Sequence, residues 1–102
     1  MIVICFNAES ERVLRSLPGN LQFCIEENQK KIDGLVRLFN PRAVATSGFR
    51  CPCYNSGLPN SKKDSFHVWG CARDYSKESI KNTRVPGLKT IVEKGCIHFE
   101  FE

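Results

Sequence analysis

The stretch from Leu21 to Phe39 constrains the fold more than any other. Ile25, Ile32, Leu35, Val36 and Phe39 recur near the 3.6-residue period, which predicts one long amphipathic helix. Asn20 stands before it as an N-cap, and Asn40-Pro41 stops it, because the residue before proline is driven out of the helical region. Asn28 and Gln29 interrupt the apolar stripe and place the middle of the helix at the edge of the core. Past Pro41 the pattern changes to short β-rich runs. The chain therefore reads as α+β: a small antiparallel sheet with two N-terminal helices packed on one side.

The shorter runs fill in this outline. Ile2-Val3-Ile4-Cys5-Phe6 reads as a short buried strand. Asn7 can cap a first helix with Glu9 in its first turn and Val13, Leu14 and Leu17 on its apolar side, ended by Pro18-Gly19. Ala43 to Thr46 is a short strand, followed by a long loop from Cys51 to Asp64 rich in Pro, Gly, Asn and Ser. Trp69 to Tyr75 reads as a strand interrupted by Gly70, and Ser76 caps a turn running to Ile80. Pro86-Gly87 resets the chain. Leu88–Glu93 and Cys96–Phe101 then flank Lys94-Gly95, a two-residue hairpin signal. Such a turn pairs Glu93 with Cys96, Val92 with Ile97 and Ile91 with His98. Side chains alternate along a strand, so Ile91, Glu93, Cys96, His98 and Glu100 share one face. A one-residue slip would turn Glu93 to the other side.

Composition removes several classes. At 102 residues, 41% hydrophobic and 25% charged, the chain is one globular domain, with residues 1–42 as a helical scaffold and 43–102 carrying the motifs. No apolar run approaches the ~20 residues of a membrane span. Fifteen Lys and Arg against eleven Asp and Glu give +4. No basic run exceeds two residues, so this excess reads as a solvated surface and not as a nucleic-acid footprint. Met1 to Phe6 is too short and lacks the basic start of a signal peptide, which predicts synthesis in the cytoplasm. The six cysteines then read as reduced thiols, not as a disulfide framework.

The chemistry lies between Ser65 and Asp74. His67 and Asp74 are both good zinc ligands, and the only other histidine is His98. Two His and one Asp, with a fourth position left to water, is the donor set of a catalytic zinc. An alternative donor set is Cys51, Cys53, His67 and Cys71, a structural zinc module of the nucleic-acid-binding kind. It leaves Asp74 and His98 without a role.

The spacing Ser65-x-His67-x-x-Gly70-x-Ala72-x-Asp74 has Ser47-Gly48-Phe49-Arg50 upstream and His98-x-Glu100 downstream. In that order these motifs resemble the zinc D-alanyl-D-alanine carboxypeptidases, a group that includes dipeptidases and phage endolysins cutting peptidoglycan peptides. The resemblance runs from about Ala45 to the C-terminus. It implies a zinc site on the sheet held by His67, Asp74 and His98, with Arg50 steadying an oxyanion. It also implies that Ser65 lines the substrate site, together with Tyr54 and Asn55 of Cys51-Pro52-Cys53-Tyr54-Asn55, where the family has Ser-Pro-x-Tyr-Asn. The chain departs from the family at Gly95, where many members carry the Glu or Asp general base. Glu93 is the first choice for that base and Glu100 the second. The implied activity is hydrolysis of peptidoglycan stem peptides by a monomer, endolysin-like and acting on the wall after release, with an endopeptidase cut favoured over a carboxypeptidase one. Without a competent base the same chain would be a catalytically degenerate wall binder.

Overall fold

The computed structural model describes residues 2–59 and 65–102. Helix α1 (Ala8–Ser16) starts as expected: Asn7 Oδ1 accepts the Ser10 N–H at 2.7 Å, with Glu9 and Glu11 in the first turn. Helix α2 (Gly19–Phe39) begins earlier than its sequence predicts. Its N-cap is Pro18 and not Asn20, which lies inside the helix. The Pro18 carbonyl accepts the N–H groups of Leu21 and Gln22, both at 3.0 Å, so the ring that ends α1 also opens α2. Asn40 closes α2 and fastens its end to the far side of the chain. Its Oδ1 accepts the backbone N–H groups of Lys81 and Asn82, and its Nδ2 donates to the Asn82 carbonyl.

Four strands follow: β1 (Ala45–Ser47), β2 (Ala72–Tyr75), β3 (Leu88–Val92) and β4 (Ile97–Phe101). They form one antiparallel sheet in the order β1-β2-β4-β3. The hairpin register is the expected one, with Val92 opposite Ile97, Ile91 opposite His98, and the Glu93 N–H bonded to the Cys96 carbonyl at 2.9 Å. On one face, Tyr75, Leu88, Ile97 and Phe99 pack with Ile32 and Val36 of α2 to make the main core. Helix α1 packs beside this layer, its Leu14 joining Cys5, Phe49 and Cys51 in a smaller cluster. Among the described residues no helix is long and apolar enough to cross a membrane.

Other expectations need correcting. Ile2–Phe6 is not a strand: among the described residues its only β pairing is one parallel bridge, Cys5 with Phe49. The start of the expected Trp69–Tyr75 strand is a 3-10 turn, Phe66–Trp69, ended by Gly70 at φ 75°. A Cβ at Gly70 would also stand 3.0 Å from Ile25, so a glycine is needed there twice over. The expected loop holds a short helix α3 (Pro52–Ser56), with proline in its first turn where a missing N–H costs nothing. The end of that loop, residues 60–64, lies outside the described residues. Phe39, expected on the buried stripe, is 40% exposed.

The largest correction concerns the polar break in α2. Gln29 is fully buried, and its Nε2 donates to the carbonyls of Gly70 (2.7 Å) and Ala72 (2.8 Å). Its Oε1 accepts from Arg73, a buried guanidinium that also bonds Tyr75 Oη and the Val3 carbonyl. Asp33, one turn further along α2, supplies the countercharge at 3.5 Å and accepts the Tyr75 hydroxyl at 2.7 Å. A charge this deep survives only when paired and hydrogen-bonded, as here. This network joins α2 to β2 from within. Gly48 fits against it: a Cβ there would press on the Ile4 carbonyl and stand 2.6 Å from Gln29 Oε1. Gly48→Ala is therefore expected to cost about 1–3 kcal/mol, the usual range for overpacking. Urea unfolding checks this as a lower midpoint at unchanged m value.

Candidate metal centre

Strand alternation sends neighbouring residues of β2 to opposite faces. Arg73 and Tyr75 meet α2, and Asp74 emerges on the other face, directly opposite His98 of β4. His67 arrives from the 3-10 turn. Ser65 Oγ caps that turn by accepting the His67 N–H at 3.2 Å, and the His67 carbonyl accepts the Arg50 N–H at 3.1 Å. The two motifs far apart in sequence are thus tied backbone to backbone.

Three donor atoms converge. His67 Nε2 lies 3.2 Å from Asp74 Oδ1 and 3.2 Å from His98 Nδ1, which is itself 2.8 Å from Asp74 Oδ1. All three residues are buried. The outer nitrogens settle which inner ones carry lone pairs. His67 Nδ1 faces the Gly48 carbonyl at 2.7 Å and must donate to it, since a carbonyl only accepts. His98 Nε2 donates in the same way to the Glu100 carboxylate at 2.7 Å. In the neutral imidazoles both inner nitrogens are therefore bare, aimed at each other and at a carboxylate oxygen. That arrangement calls for a positive charge at its centre. A proton can bridge one pair; a metal cation meets all three donors at once. Three ligands on a tetrahedral ion at about 2.1 Å stand roughly 3.4 Å apart, close to the separations seen, and the outer carbonyl and carboxylate are the usual orienting partners. The donor set fits zinc.

Charge follows the same geometry. Burial pushes the Asp74 carboxyl up, but once a proton enters the triangle its hydrogen bonds with His67 and His98 outweigh burial and hold it well below the usual carboxylate range. Burial pulls His98 down, and its bonds to Asp74 and Glu100 more than reverse that, so its pKa is raised. The signs give a test on metal-free protein. The lowered Asp74 contributes stability above its ordinary 3.8 and loses it as pH falls; the raised His98 contributes below its ordinary 6.5 and loses it as pH rises. With a chelator present, this cluster's contribution should be full only between those two values. A zinc ion bound here would have to displace the His98 proton wherever that proton is present, so its affinity should weaken as pH falls through that range, by about tenfold per unit for one proton. Urea midpoints and zinc titrations across pH measure both.

Around the triangle lies a cleft of about 760 Å³ lined by Arg50, Ser65, Phe66, Ile91, Glu93 and Cys96, among others. Arg50 is held by Ser47 Oγ, Asn55 Oδ1 and Asp74 Oδ2. Among the described residues, three of its five N–H groups are so engaged. Glu93 Oε1 stands 3.8 Å from His98 Nδ1 with its side chain half exposed, while Glu100 is locked on His98. Burial, with the Asp74 and Glu93 carboxylates beside it, pushes the Cys96 thiol up to about 12.

The other expected site residues fall outside the centre. Asn55 is buried behind Arg50, and Tyr54 packs on the small apolar cluster. Neither lines the cleft. Cys51, Cys53 and Cys71 are not gathered with His67: Cys51 is buried in that same cluster, Cys53 is exposed, and Cys71 Sγ lies 3.7 Å from Asn28. Gln29, which clamps the turn between His67 and Asp74 through the carbonyls of Gly70 and Ala72, was missed as a supporting residue. Its one sequence signal was a polar side chain on an apolar stripe. No family model matches the chain, and it has no match among curated proteins or solved structures.

Proposed function

We propose that this chain is a zinc-dependent peptidase acting on peptidoglycan stem peptides, with an endopeptidase cut. The observation that carries the metal-dependent chemistry is the set of partners around His98. Asp74 and His67 face its inner nitrogen, Glu100 holds its outer one, and Glu93 waits at the mouth. A zinc ion held by His67, Asp74 and His98 would supply Lewis acidity toward a carbonyl and lower the pKa of water. Glu93 takes a proton from the attacking water and hands it to the leaving amine. Among the described residues its half-exposed carboxylate has no partner closer than 3.7 Å, whereas Glu100 is committed to orienting the imidazole. Arg50, pinned on three sides, presents its remaining N–H groups to the developing oxyanion. The choice of wall peptide rests on the order of motifs resembling the zinc D-alanyl-D-alanine carboxypeptidases. Asn55 and Tyr54 then shape the site from behind, through Arg50 and the neighbouring cluster.

Digestion of purified sacculi tests the proposal. New amino groups and released stem peptides are expected, in a reaction stopped by a zinc chelator and by Arg50→Ala. Zinc-loaded protein that frees no amino groups from sacculi or from synthetic stem peptides would overturn it.

A further inference from the structure

We propose that Cys96 is a fourth protein ligand of this same centre, which gives the site a sulfur-closed form and an open form. The inference rests on the metal reading of His67, Asp74 and His98, and it concerns how that site is regulated. Cys96 faces Glu93 across the two-residue turn, its Sγ 3.7 Å from Glu93 Oε1. The donor atoms of Asp74, Glu93 and Cys96 all lie within 4.8 Å of one another. Asp74 is also a corner of the buried triangle, so the two donor groups share one carboxylate, and His67, Asp74, His98 and Cys96 all line the same cleft.

Two further observations point the same way. Cys96 belongs to neither apolar cluster and sits partly exposed in the cleft wall, so packing does not explain it. His67 is 2% exposed, and its Nε2 faces Asp74 Oδ1 and His98 Nδ1, both acceptors in the neutral triangle, an arrangement that a cation satisfies. Two nitrogens, one oxygen and one sulfur make a complete tetrahedral zinc set, and a complete set is closed to substrate. On ligation the thiol proton passes to solvent as the sulfur–metal bond forms; no electrons are transferred. Opening reverses that step. Cys96 therefore sets how often the fourth position is free for the chemistry assigned to Glu93.

Cobalt(II) titration of the purified chain tests this without any substrate. Cobalt in a low-coordinate site shows visible d–d bands, and a thiolate ligand adds a charge-transfer band in the near ultraviolet. The wild type should show both. Cys96→Ser should lose the charge-transfer band and keep the d–d bands, which also shows that the variant is folded. Cys71→Ser should keep both. Visible bands without charge transfer in the wild type would overturn the proposal and leave the three-ligand centre standing. A charge-transfer band that persists in Cys96→Ser would overturn it as well. Failure of the wild type to bind cobalt would remove the metal reading itself, and this inference with it.

Discussion

His98→Ala protein should hold no stoichiometric zinc and hydrolyse no stem peptide. His98 is the most connected member of the triangle: it meets Asp74 at 2.8 Å, His67 at 3.2 Å and Glu100 at 2.7 Å. Removing it deletes one of three donors and also strands the Glu100 carboxylate. Loss of an outer partner typically weakens a metal about 10–100-fold, so the loss of a ligand should exceed that range, whereas Glu100→Gln should fall within it. Metal analysis after dialysis against zinc separates the two. Full occupancy in His98→Ala would end the three-ligand assignment.

Glu93→Gln should keep its zinc and lose roughly 10²–10⁴-fold in turnover, the span that proton transfer by a positioned side chain contributes. Glutamine preserves the size of the side chain and its reach over the cleft while removing the basic oxygen. Glu93 is half exposed on an edge strand's last turn, so little of the fold depends on it. The comparison with Glu100→Gln is the informative one. If Glu93→Gln runs near the wild-type rate and Glu100→Gln is inactive with zinc bound, the two carboxylates exchange roles.

Local rules made much of the architecture legible. Asn7 and Asn40-Pro41 set helix ends through their own side chains and rings, and Lys94-Gly95 set the hairpin register that places Glu93 on the face of His98. The three donor residues could be picked out because His67 and Asp74 are zinc-ligand types in a recognisable motif order and His98 is the only other histidine, and the structure gathers them. What escaped sequence reading depends on distant partners. Gln29 looked like a flaw in an amphipathic stripe because its partners, Gly70, Ala72 and Arg73, lie more than forty residues away. Ile2–Phe6 has the composition of a strand, yet among the described residues no neighbour offers it a ladder beyond one bridge. Phe66–Trp69 carries β-forming residues, but the N-cap at Ser65 and the left-handed Gly70 wind them into a turn. That turn is what brings His67 round to Asp74.

The sheet order divides the site by mechanical character. β2 lies between β1 and β4 and is buried along its whole length, while β3 is an edge strand, largely exposed. Amides of β2 should exchange with deuterium only when the whole domain unfolds, whereas β3 can fray from the turn inward. Asp74 would thus sit on the slowest-breathing part of the molecule, and Glu93 on one of the quickest. Loading with metal should lengthen the protection of β2 by its full binding free energy and leave the outer edge of β3 nearly unchanged. The ion would be gripped by the frame, and the proton carried by the part that moves.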